Sequence, residues 1–157
     1  MFRKPAQRVR RRGAVTVEFA LMAPVFLVMV LGVTETARMF EMQNQLQVAA
    51  REGARMAAMD RTGLTSQGQS TNAKVVQDVK NFLAATGMDP NDINVQIVSH
   101  EDPTAGFNLD DPTNSLKYFQ VKVSVPFSAS SQVVPEAADF KLQSKIVFRN
   151  TKLFAAN

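Results

Sequence analysis

The sequence predicts an α+β protein: a long N-terminal helix, half transmembrane and half exported, packed on a small antiparallel sheet with a second, short helix. Three observations carry this. An apolar run from Ala14 to Thr34 follows a strongly basic flank. Beyond Thr34 the helical pattern continues in amphipathic form to about Met59. Three later segments alternate apolar and polar residues at period two. A chain of 157 residues has room for one membrane segment and one modest domain. The expected divisions are a basic leader at 1–13, a transmembrane helix at 14–34, its exported continuation at 35–59 and an α+β domain at 60–157.

The run AVTVEFALMAPVFLVMVLGVT carries one charge, Glu18, and one proline, Pro24. About 20 such residues in a helix cross the ~30 Å hydrocarbon core of a bilayer. Arg3, Lys4, Arg8, Arg10, Arg11 and Arg12 precede it, and no acidic residue lies among them. Short Lys/Arg-rich flanks stay cytoplasmic, so the N-terminus is expected inside and the rest of the chain outside. A secretory signal peptide would have a shorter apolar core, ending at small residues, and nothing of that kind follows this run. Pro24 removes one helical hydrogen bond, so a kink near Ala20–Pro24 is expected. A carboxylate within an apolar run costs up to a few kcal/mol near mid-bilayer, and such residues have a partner or a task. Glu18 is therefore the first candidate functional residue.

After Thr34, residues Met39, Met42, Leu46, Ala49, Gly53 and Met56 recur at three- and four-residue steps and share one helical stripe. Glu35–Arg38, Arg38–Glu41 and Glu52–Arg55 are oppositely charged pairs at i,i+3 on the other faces. Small residues at 49, 50, 53, 54, 57 and 58 permit close approach by a helix or a sheet. The stripe is read in two ways, as the cover of the protein's own sheet and as a docking seam for a partner helix. No strong breaker intervenes before Gly63, so one helix from about Ala14 to Met59 is expected.

Residues 60–72 are polar and turn-rich and read as a loop. In the second helix Val75, Val76, Val79, Phe82 and Leu83 form an apolar face, with Thr71 or Asn72 as its cap and Gly87 in the left-handed position after its end. The alternating segments Ile93–Ile97, Phe119–Phe127 and Phe140–Phe148 put apolar residues on one face. Gln120, Lys122, Ser124, Lys141, Gln143 and Lys145 lie on the other, as in an antiparallel sheet covered on one side. The first strand is short and suits an edge. Loops at 99–116 and 128–139 connect the strands.

Composition excludes several kinds of chemistry. The formal charge of +4 and the isoelectric point of about 9.7 come from the leader. Without its six cations the 18 basic residues fall to 12 against 14 acidic, a net −2. A nucleic-acid partner thus has no support, since phosphate binding needs clustered Lys and Arg. There is no cysteine, which removes disulfides, thiolate metal sites and a cysteine nucleophile. His100, Glu101, Asp102, Asp110 and Asp111 offer oxygen ligands, but their spacing fits no EF-hand, and a solvated acidic loop accounts for them. No phosphate-binding glycine loop or nucleophile elbow occurs, so no catalytic residue, metal or cofactor is expected, and the protein is not read as an enzyme.

The basic leader, Gly13, Glu18 five positions after it and then Phe19 resemble the processing site of type IV prepilins. More specifically, RGAVTVEFAL at 12–21, APV at 23–25, GVTETAR at 32–38 and VAAREGAR at 48–55 resemble the TadE-like pseudopilins of tight-adherence pilus systems. Residue 37 is Ala where Gly is common in that family. The resemblance implies cleavage between Gly13 and Ala14 by a prepilin peptidase, and residence in the inner membrane with a periplasmic C-terminal domain. It further implies other pilins and pilus-assembly proteins as partners, and a part in building or initiating an adhesive pilus. Glu18, Met39, Met42, Leu46, Ala49, Gly53 and Met56 would then dock partner helices. The short exported region disfavours the sister type that carries a large von Willebrand-like domain. The alternative function is a periplasmic binding module on an uncleaved anchor that recruits or regulates a secretion machine.

Overall fold

A computed structural model describes residues 10–59, 68–129 and 140–151. The leader residues Arg3, Lys4 and Arg8 and most of the expected loops at 60–72 and 128–139 lie outside these. The chain divides into two compact units, Met1–Ala37 and Arg38–Asn157, and helix α1 (Arg10–Ala58) contributes to both. This helix begins four residues earlier than expected, so Gly13 is helical, and it continues through Pro24. Within the first unit, Thr34 and Thr36 donate their hydroxyls to backbone carbonyls at Val30, Leu31 and Gly32, at 2.8–3.0 Å. This hides two polar groups at the end of the apolar run.

The second unit is built on a meander of β1 (Asn94–Ser99), β2 (Tyr118–Pro126) and β3 (Lys141–Arg149), antiparallel and in that order. Helix α2 (Thr71–Ala85) precedes it. Phe119, Val121, Val123, Val125, Leu142 and Ile97 point to one face, as the alternation predicts. Against that face lie Met42, Leu46, Ala49, Ala50, Ala54 and Ala57 of α1 and Val75, Val79 and Leu83 of α2. Burying a side chain such as Leu46, fully enclosed here, contributes roughly 1.5–3 kcal/mol. Five small residues let α1 approach closely. Gly53 marks the tightest point, where an added Cβ would stand 2.5 Å from Val79 Cγ2 and 3.5 Å from Val121 Cγ1.

The ends of α2 are set by local chemistry. Its cap is Ser70 rather than Thr71 or Asn72, with Ser70 Oγ accepting from the Ala73 N–H at 3.2 Å. At the other end the Gly87 N–H bonds Ala84 O, and the Met88 N–H bonds Leu83 O. This paired closure requires the left-handed φ of +96° at Gly87.

Two expected strand positions turn out otherwise. Phe140 precedes β3 and is 54% exposed, packing edge-to-face on Phe127. Gln120 is on the outer face yet only 8% exposed, because its amide donates to His100 Nδ1 at 2.9 Å from the following loop. That loop also covers the free edge of β1: Ser99 N–H bonds Ala105 O, and Phe107 N–H bonds Ile97 O, both at 3.0 Å. Phe107 then stacks on Phe119 with centroids 5.5 Å apart.

Candidate functional site

The candidate site begins with the apolar part of α1. It holds an 18-residue window of mean hydropathy 2.2, none of it buried, and is long and apolar enough to cross a membrane. Phe19, Leu21, Phe26, Leu27 and Val28 are each more than 60% exposed. Such a surface in water would be an aggregation hazard, and in hydrocarbon it is at home. Glu18 is exposed on it, one turn after Ala14 and adjacent to Phe19. Gly13 has a negative φ, and an added Cβ would meet nothing within 4 Å. The local fold places no demand for glycine there.

The stripe residues are arranged differently. Met42, Leu46, Ala49 and Gly53 are enclosed by the unit's own sheet and α2, while Met39 and Met56 are half-buried at either end of the row. Ala50, Ala54 and Ala57, read from the sequence as small residues that permit close approach, extend the buried row beyond the stripe itself. The signal for them was the run of small residues, which a scale weighted by side-chain hydrophobicity undervalues. Across the exposed side, Arg55 donates from Nε to Glu52 Oε2 at 2.9 Å and from Nη2 to Oε1, and this ion pair raises the Arg55 pKa.

The acidic loop after β1 serves the fold. Asp110 accepts from the Thr71 N–H at 2.8 Å and from its hydroxyl, which places a carboxylate at the positive end of α2. Asp102 accepts from Thr104, and Asp111 from Thr113; these bonds to hydroxyl and backbone donors hold both carboxyls below the ordinary value. Asn72 braces the loop on one side by donating to Phe107 O at 2.6 Å and accepting from the Leu109 N–H at 3.0 Å. Buried Asn150 braces it on the other, donating to Leu109 O and Asn114 O. Among the described residues no group of three or more His, Cys, Asp or Glu side chains comes together around a metal-sized site.

The site thus joins one long helix, apolar enough in its N-terminal part to cross a membrane, to a C-terminal part of that helix that covers a small antiparallel sheet. Residues 13–55 match the family model described as TadE-like protein. No curated protein and no solved structure matches the chain. The exposed apolar helix fits a membrane anchor.

Proposed function

We propose that the chain is a minor pilin or pseudopilin of a tight-adherence pilus, cut between Gly13 and Ala14 by a prepilin peptidase. It then rests in the inner membrane, with residues 14–34 in the bilayer and 35–157 in the periplasm, until pilins and assembly proteins recruit it. The observation that carries this reading is the family match that starts at Gly13, with Glu18 five residues on. The glycine supports it from a second direction. In a helix interior glycine costs roughly 1 kcal/mol against alanine, and nothing around Gly13 requires it. A peptidase cleft that reads an unwound, side-chain-free backbone supplies the missing reason.

Cleavage would free an α-amino group on Ala14, one turn from Glu18 and at the same depth. An ammonium and a carboxylate paired there offset much of each other's desolvation cost. Between subunits, that pair sets the register of a docking helix, with the apolar face around Phe19 alongside and Met39 and Met56 at the exported end. The test is the N-terminal residue and intact mass of protein from membranes with and without the peptidase. The mature chain is expected to begin at Ala14, and recovery of chains starting at Met1 beside active peptidase would end the reading. Glu18→Gln is expected to be cut still, while recovery of partner pilins and surface piliation fall sharply.

One observation favours the uncleaved-anchor reading instead. Gly13 is helical, and a helical bond must unwind before a peptidase can hold it. Gly13→Leu separates the two: loss of processing with loss of piliation supports the pilin, and unchanged mass with unchanged partner recruitment supports the anchor.

A further inference from the structure

The outer face of the sheet, away from both helices, carries Lys122 from β2 and Lys141, Lys145 and Arg149 from β3. No strand residue is acidic. In the β2–β3 register Lys122 stands directly opposite Lys145, and like charges in that relation destabilise an antiparallel pair. Folding alone gives no reason to keep such a pair, since one glutamine or glutamate at either position would relieve it. Nor is the face a by-product of general basicity, because acids outnumber bases once the leader is set aside.

The acids are concentrated elsewhere in the same unit. Glu101 and Asp102 are exposed on the loop that follows β1. The backbone there is held by His100 N–H to Tyr118 O, Ser99 N–H to Ala105 O and Ala105 N–H to Asp102 O, so binding orders side chains and not the loop itself. We infer that the cationic outer face of the sheet docks the acidic 100–102 loop of a second copy of this chain, head to tail. Such a contact joins two different patches, so it repeats along an axis instead of closing on a dimer. The inference rests on the pilin reading only for holding two or more copies side by side in one membrane.

The experiment uses full-length chains in membranes, one copy tagged and one untagged, and measures copurification from mild detergent. Wild type is expected to recover its partner. Lys122→Glu with Lys145→Glu in both copies should lower recovery at least fivefold, and so should Glu101→Lys in both. Mixing the doubly reversed copy with the Glu101→Lys copy should restore it, because the two reversed patches match each other and the unaltered face of one copy meets the unaltered loop of the other. Because the chain lacks cysteine, Lys145→Cys in one copy and Glu101→Cys in the other should cross-link under mild oxidation, and neither should do so alone. Recovery unaffected by charge reversal, or no restoration on mixing in chains that keep their melting temperature, overturns the inference. So does binding to anionic nanodiscs that depends on the lysines and ignores Glu101→Lys, which would make a lipid surface the occupant. Processing at Gly13 and recovery of partner pilins are scored in the same cells, so loss of the pilin reading is seen separately.

Discussion

The two parts of α1 differ in a way that hydrophobicity alone would order wrongly. Residues 15–33 are far more apolar than residues 38–58, yet none of the former is buried and the latter supply six core positions. The core positions include four alanines, with Gly53 enclosed beside them, and only Met42 and Leu46 are large. What separates the regions is periodicity and residue size. An apolar surface on every side suits lipid, and a stripe of small residues suits a sheet that must come close.

The strongest way to break this comparison is a charge in each part. Leu46→Asp should destabilise the second unit by about 4 kcal/mol or more, because an unpaired carboxylate would replace a fully enclosed side chain. Leu27→Asp should leave the domain's melting temperature unchanged in detergent and impair membrane insertion instead, at a cost of about 2.5–3.5 kcal/mol. Equal losses of melting temperature would show that the regions are not distinct in this sense.

Gly53 sharpens it. Gly53→Ala should cost about 1–3 kcal/mol, because Val79 is β-branched and cannot swing clear of the new methyl. Combining it with Val79→Ala should recover part of the loss in a double-mutant cycle followed by thermal melts. Gly32→Ala, with open space around it, should leave the melt of the domain unchanged. A smaller effect is expected at the brace of the acidic loop. Asn72→Ala removes two hydrogen bonds to backbone groups and should cost roughly 1–2 kcal/mol, with faster amide exchange at Leu109.

The smallest effect is on pH. The Asp102 and Asp111 carboxyls titrate lower in the folded chain than the ordinary 3.8, chiefly through hydrogen bonds from Thr104 and Thr113. A depressed folded value gives stability that is present above 3.8 and is lost as pH falls through the folded midpoints below it. Carboxyl resonances followed by NMR should show both midpoints under 3.8. Thr104→Val should move that of Asp102 upward and leave Asp111 in place.

Much of the fold of the second unit was legible because period two and period 3.6 report directly on which side chains are covered. The odd-numbered residues of β2 and the row from Met42 to Gly53 follow from spacing alone. The rest depends on partners distant in sequence. Gln120 reads as an outward polar residue until His100 reaches it. Residues 105–107 carry no strand pattern, and pair with β1 because the loop folds back along its free edge. Ser70 takes the cap from Thr71 because Asp110, 39 residues later, engages Thr71 instead. The opposition of Lys122 and Lys145 was equally hidden, since it depends on a register set across the long connection between β2 and β3. At the other end of the chain, Glu18 stood out from sequence because a carboxylate is costly in an apolar run, and Gly13 through the resemblance to a prepilin processing site.

The close packing at Gly53 also works as an angular lock. Successive residues of a helix are about 100° apart. If residues 38–58 turned about their own axis by one such step, Leu46 would leave the core and Gln45 or Gln47 would enter it. The sheet therefore holds this part of the helix at one azimuth, with Phe40, Val48 and Arg51 facing outward on a fixed bearing. A partner that grips those three side chains takes hold of the whole second unit in one orientation, like a key whose teeth and bow are cut from the same blank.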